Sequence, residues 1–160
     1  MLCMPKVRLD ARDRAILDVL QADARLSYAE IGRRVGLSAP AVAERIKRLE
    51  AEGVIQGYGV RLDLEALGFP VTALVSVAAK PERYPKVWAY AEATPEVREC
   101  YFVTGEASFV LRVVARSIDD LRRVIEDLGA FGSTKTSVAL RSPLIKHRLP
   151  LAERPGESEA

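Results

Sequence analysis

The chain has 160 residues, 49% of them hydrophobic and 29% charged, with a formal net charge of +2, the balance of a soluble globular protein with one medium domain or two small ones. Its longest apolar runs, such as VTALVSVAA from Val71, fall well short of a membrane-spanning helix, and the opening MLCMPKV lacks the sustained apolar core of a secretory signal. Two cysteines, Cys3 and Cys100, sit in no motif and are expected to be reduced in a cytoplasmic protein.

The first element is expected from Asp10 to about Ala22, with Asp10 as N-cap and Ile16, Leu17 and Leu20 on one apolar face. The stretch LSYAEIGRRVGLSAPAVAERIKRLEAEGVI from Leu26 then starts a helix twice. Ser27 lies between Leu26 and, four residues on, Ile31; Ser38 lies in the same way between Leu37 and Val42. A serine N-cap accepts from an orphan amide, while the apolar pair closes a hydrophobic staple over the first turn. Glu30 completes a capping box at the first start, and Pro40 suits the first turn of the second. Gly36 between them fits the left-handed residue that ends a short helix. The outcome is two helices across a tight turn, a helix-turn-helix.

The third helix, Ser38 to about Glu52, sets Val42, Ile46 and Leu49 at the i, i+4, i+7 spacing of a core stripe, and Gly53 ends it. A three-helix unit of about fifty residues is marginal alone. The next segment, VIQGYGVRLD, reads as an extended linker strand, and Asp63 to Gly68 as a helical turn. Strands follow at Pro70–Ala79, Glu96–Thr104, Phe109–Ala115 and Thr134–Arg141. Helices are expected at Pro81–Ala93, with Tyr84, Val87, Trp88 and Ala91 on one side, and from Ser117, with Leu121, Val124, Ile125 and Leu128 on one side and Gly129 and Gly132 at its end. The loop 105–108 suits a hairpin between the second and third strands.

The fold class is therefore α+β, with a winged-helix-like helix-turn-helix domain at 1–53, a linker strand and turn at 54–68, and a ferredoxin-like β-α-β-β-α-β domain at 69–149. The polar tail, 150–160, is expected to be disordered. That topology leaves one sheet face without helical cover. Val110, Val114, Cys100 and Phe102 suggest apolar groups on both faces, so a second subunit is expected to cover the sheet as an obligate dimer.

Catalysis has nothing to be built from. His147 is the single histidine, between Lys146 and Arg148, with no Cys or carboxylate cluster at metal spacing and no glycine-rich phosphate loop. No enzyme, metal or cofactor is expected. The charge, in contrast, is informative once divided. Residues 1–53 hold ten Lys/Arg and eight Asp/Glu, and 54–160 hold fourteen of each; within 25–48, Arg25, Arg33, Arg34, Arg45, Lys47 and Arg48 stand against Glu30 and Glu44. Such a local excess favours a polyanionic partner, although a solvated helix face is the ordinary reading of any one charge run.

With the core stripe of the third helix turned inward, a step of about 100° per residue turns Pro40, Ala41, Glu44, Lys47 and Arg48 outward, with Arg45 on the flank. Those are the positions a recognition helix offers to the major groove of double-stranded DNA. Ala41 suits a thymine methyl, and Arg45 suits bidentate guanine readout; Glu44 either accepts from cytosine or holds Arg48 at i,i+4. Ser27 and Ser38 at the helix entrances, with Arg33, Arg34 and Lys47, are placed to meet phosphates. A helical interaction module with solvated arginines is the bland alternative.

These segments, LDARDRAILDVLQADARLSYAEIGRRVGLS, RIKRLEAEGVIQGYGVRLDLEALG and FVTGEASFVLRVVA, resemble the Lrp/AsnC family of feast/famine transcription regulators over about Leu9 to Leu149. The resemblance implies a nucleoid-associated DNA-binding regulator that forms homodimers assembling to octamers, with the linker strand near Val54–Asp63 pairing with its counterpart. It also implies an amino-acid effector at a subunit interface, near Thr104, Gly105, Glu106, Ala107 and Ser108, with Thr134, Thr136 and Ser137 from the last strand. Here the sequence departs from the family pattern, which commonly has a large residue and an aspartate where this chain has Ala107 and Ser108. Loop amides and Ser108 suit a ligand carboxylate, but an ammonium group needs an acceptor, which Glu106 either supplies or, facing solvent, does not. Two alternatives stay open: a plain hairpin turn without effector, and an amino-acid sensor or oligomeric module that no longer reads DNA or coats it without preference.

Overall fold

The computed structural model describes residues 7–141, 144 and 146–151. The chain divides into two compact units, Met1–Val60 with Leu144–Ala160, and Arg61–Pro143.

In the first unit, α1 (Ala11–Ala22), α2 (Tyr28–Val35) and α3 (Ala39–Ala51) close around Ile16, Ile31, Val35, Val42 and Ile46. Both serine starts form as expected: Ser27 Oγ accepts from the Glu30 amide at 3.2 Å and Ser38 Oγ from the Ala41 amide at 3.4 Å. The capping box expected at Ser27 is incomplete, because the Glu30 carboxylate turns to Arg33 and Arg34 instead. A complete box stands at α1, where Asp10 caps the Asp13 amide at 2.8 Å and Asp13 reaches back to the Asp10 amide at 3.1 Å. Gly36 takes the left-handed conformation (φ 69°) that ends α2, and Arg12 donates to the Val35 carbonyl there.

The turn between α2 and α3 is tight enough to dictate a second glycine. A Cβ on Gly32 would stand 2.4 Å from the Leu37 carbonyl oxygen, to which no side chain can yield. Residues 54–63, expected as a linker strand, carry no strand within the chain and lie beyond the left-handed Gly53. Leu149 exchanges two hydrogen bonds with the Gln21 side-chain amide, at 2.7 and 3.2 Å, and Arg148 donates to the Asp18 carbonyl at 3.4 Å, so these two residues lie against α1. The expectations for Cys3 and for the tail at 152–160 lie outside the described residues.

The second unit opens with a turn at 63–68, where Asp63 accepts from the Ala66 amide at 3.1 Å. It then runs β1 (Val71–Ala79), a 3-10 turn (Pro81–Arg83) leading into α4 (Tyr84–Ala93), β2 (Val97–Phe102), β3 (Phe109–Ala115), α5 (Ile118–Gly129) and β4 (Gly132–Val138). The sheet order is β2-β3-β1-β4, antiparallel throughout, the ferredoxin-like arrangement. Alternation sends Ala73, Val75, Val77, Phe109, Leu111 and Val113 to the helix-covered face against Val87, Leu121, Val124 and Leu128.

One expectation shifts here. β4 runs Gly132–Val138, two residues early at its start and three at its end, and at its start backbone passes so close that a Cβ on Gly132 would meet the Ala78 carbonyl oxygen at 2.2 Å. Cys100 and Phe102 lie directly opposite Leu111 and Phe109, hence on the covered face, while Val110 and Val114 lie on the open one. Phe102 packs with Tyr84 and Phe109, ring centroids 5.2 and 5.3 Å apart. A register shift between Val97 and Glu99 sets this phase of β2, and no glycine or proline signals it. Burial pushes the Cys100 thiol up from its ordinary value, away from thiolate chemistry.

Candidate nucleic-acid interface and effector loop

The α3 surface is built from α1 as much as from α3 itself. Val42, Ile46 and Leu49 are fully inward, leaving Pro40, Glu44, Lys47 and Arg48 exposed and Ala41 and Arg45 half-buried. The sequence reading missed Asp13. Its carboxylate is the sole buried charge among the described residues, at 0% exposure, and it receives Arg45 Nη1 on Oδ1 at 2.8 Å and Arg48 Nη2 on Oδ2 at 2.5 Å. Arg45 Nη1 also reaches Asp10 Oδ2 at 2.6 Å. That hydrogen bond, followed by one from the Asp13 amide, holds the Asp10 carboxyl below its ordinary value; the same two carboxylates raise the Arg45 guanidinium. The signal in the sequence was the match of two spacings, Asp10 with Asp13 and Arg45 with Arg48, each three apart and so each on one helix face.

Two expectations change in consequence. Nη1 of the Arg45 fork, expected to be free for guanine, is engaged by both carboxylates of α1. Arg48 pairs with Asp13 and not with Glu44. Charge also redistributes: the six cations of 25–48 face not two carboxylates but four, once Asp10 and Asp13 fold onto them, which halves the local excess from +4 to +2. Lys47 has no carboxylate partner among the described residues. On α2, Arg33 and Arg34 share Glu30 at 2.7 and 3.1 Å, yet Arg33 keeps 73% of its side chain exposed. An exposed pair of this kind is worth little and yields readily to a phosphate. Ser27 and Ser38 spend their hydroxyl oxygens on caps, so the amide-rich helix entrances remain as anion-facing groups.

The β2–β3 loop is a hairpin closed by the Val103 amide on the Ser108 carbonyl at 2.9 Å, with Gly105 in a positive-φ conformation (113°). Thr104, Gly105 and Glu106 are exposed, and Ala107 and Ser108 half-buried. Ser108 is not the free hydroxyl expected. It donates to the Ala79 carbonyl at 3.0 Å and accepts from Tyr84 Oη at 3.4 Å, and its amide holds Val77 O at 2.9 Å. Thr134 and Thr136 pair with Val77 and Val75 on the covered face, near this loop, whereas Ser137 pairs with Leu74 on the other face. The eight residues expected to gather at an effector thus split across the sheet.

No group of three His, Cys, Asp or Glu among the described residues is placed to hold a metal, and no described helix is long and apolar enough to cross a membrane. The open groove of about 480 Å³ in the first unit, lined by Leu20, Leu26, Tyr28, Ile31, Glu50 and Tyr58 among others, is largely apolar. There Tyr58 donates to Glu50 at 2.9 Å and, chiefly through burial, is pushed up to about 12.

Comparison with known proteins reproduces this two-part organisation. Residues 9–50 match the AsnC-type helix-turn-helix domain, and residues 72–149 match the Lrp/AsnC ligand binding domain. The chain is 33% identical over 132 residues to the HTH-type transcriptional regulator LrpC of Bacillus subtilis, covering 82% of this chain and 92% of that one. It is 31% identical over 148 residues to the regulatory protein AsnC of Escherichia coli K12, covering 89% and 97%. Among solved structures, LrpC of Bacillus subtilis superposes with a TM-score of 0.82 at 32% identity over 88% of this chain and all of that one. A Neisseria meningitidis transcriptional regulator in complex with L-methionine superposes at 0.84 with 27% identity, over 90% and 97%.

Proposed function

The chain belongs to the Lrp/AsnC family of DNA-binding transcription regulators, and we propose that it reads a specific operator through the outward face of α3 and answers to an amino acid through its sheet unit. It is a regulator and not an enzyme. In this reading Pro40, Ala41, Glu44 and Lys47 meet base edges and the adjoining phosphates, while the entrances of α2 and α3 at Ser27 and Ser38, with Arg33 and Arg34, meet the backbone. The observation that carries it is the α3 surface: three apolar residues locked inward and Lys47 exposed with no internal counter-ion among the described residues.

The uncovered sheet face supports a homodimer. Leu74 and Tyr101 are 47% and 53% exposed there beside Val110, around the Glu99–Arg112 ion pair at 2.6 Å. A second subunit covers them in this proposal, further association leads to octamers, and the protein acts in the cytoplasm on the nucleoid. The L-methionine complex of the Neisseria relative supports an amino-acid effector. Here it would meet the exposed loop at Thr104 to Glu106, with Glu106 as the acceptor for an ammonium group.

Selection from random duplexes, run with and without a panel of amino acids, tests the proposal. It should enrich a pseudo-palindromic site with half-sites spaced by whole helical turns, and at least one amino acid should shift the yield. Enrichment of nothing would leave a DNA-coating or sensor role instead.

A further inference from the structure

We infer that Asp10 and Asp13 of α1 set DNA specificity by withholding Arg45 and Arg48 from phosphate, so that α3 meets DNA with Lys47, Glu44, Ala41 and Pro40. The inference rests on α3 being the recognition helix. Both carboxylates are anchored to backbone: Asp10 Oδ1 accepts the Asp13 amide at 2.8 Å, and Asp13 Oδ2 accepts the Asp10 amide at 3.1 Å. Neither acid is able to swing out after its arginine without uncapping α1. For Arg45 to reach a phosphate it must leave a fully buried carboxylate at 2.8 Å and a second at 2.6 Å, and Arg48 must leave the same buried group at 2.5 Å. A buried charge stripped of its partners is strongly unfavourable, so the arginines stay.

The functional consequence follows from where arginine energy goes. A free guanidinium beside a recognition helix binds any phosphate, which tightens binding to every sequence alike and dilutes the contribution of base contacts. Holding two of them in ion pairs to α1 lowers non-specific binding more than specific binding, and raises the ratio between them. Asp10 and Asp13 touch no base in this account; they are positioning residues that act through Arg45 and Arg48.

The test measures binding of the full chain to its selected duplex and to a scrambled duplex across a salt series. Asp13→Asn keeps an oxygen for the cap and removes the charge. It should tighten binding to the scrambled duplex roughly 3- to 10-fold, steepen the dependence of log K on log salt by about 1 to 2, and lower the specificity ratio. Asp10→Asn, at a half-exposed carboxylate, should move all three in the same direction by less, and carries the test if Asp13→Asn does not fold. Adding Arg48→Gln to Asp13→Asn should take back part of the steepening. A parallel loss of affinity on both duplexes, or unchanged salt slopes in both variants, overturns the inference while the recognition reading stands. Wild type that does not distinguish the two duplexes overturns the recognition reading and the inference with it.

Discussion

The two units fix their geometry by different means. Among the described residues the sheet unit buries twelve hydrophobic residues and no charge, and its helices need little besides area. The helical unit packs six buried aliphatic residues among those described and compensates with direction: two serine caps, a reciprocal Asp10–Asp13 box, Arg12 on the end of α2, and a buried carboxylate holding two arginines. A core that small leaves helices free to rotate against one another, and hydrogen-bonded charges remove that freedom because they act only at fixed angles. Apolar area gives stability without orientation. The unit that faces DNA is the one that needs orientation.

This contrast breaks most sharply at the cores. Leu111→Ala should cost about 2–5 kcal/mol, read as a lowered transition of Trp88 fluorescence, since the single tryptophan reports on the sheet unit alone. A pair of glycine substitutions sharpens it. Gly132→Ala drives a methyl into the Ala78 carbonyl and Gly32→Ala into that of Leu37, each costing about 1–3 kcal/mol. The first should lower the Trp88 transition and the second should leave it in place while abolishing specific DNA binding. An equal effect of both on Trp88 would mean that the units do not hold their structure separately. Ser38→Ala should cost about 1 kcal/mol at the α3 entrance, visible in helical circular dichroism melts.

Acid gives the smallest effect and the cleanest division. The folded chain holds the Asp10 carboxyl below its ordinary 3.8, so the unfolded chain takes up the proton first. The stabilisation is therefore complete above the ordinary carboxylate range and fades as pH falls through it and below. Helical melts of the wild type should weaken over that range more than those of Asp10→Asn, and identical profiles would show that the Asp10–Arg45 contact carries no weight in solution.

Most of the fold was legible because its signals are local. Caps at Ser27, Ser38 and Ser117, the left-handed Gly36, and alternation in Val71–Ala79 each depend on residues within one turn or one strand. What escaped depends on distant parts meeting. Asp13 reads as an ordinary first-turn acid until α3 brings Arg45 and Arg48 against it across thirty-two and thirty-five residues. Which face Phe102 and Cys100 take depends on a register shift in β2, which moves every later side chain to the other side. The site followed the same rule: the exposed Lys47 was readable from helix periodicity, but the engagement of Arg45 was not. Nor was the loss of the Ser108 hydroxyl to Ala79, twenty-nine residues away.

The central claim is that the outward side of α3 lies against DNA with Lys47 as its free cation. Its most direct test is the salt dependence of binding to the selected duplex for wild type and Lys47→Ala. The slope of log K against log salt should become shallower by about 1 for each Lys47 placed against the duplex, with affinity falling on all sequences alike. A Lys47→Ala variant with the wild-type slope and the wild-type affinity would contradict the account.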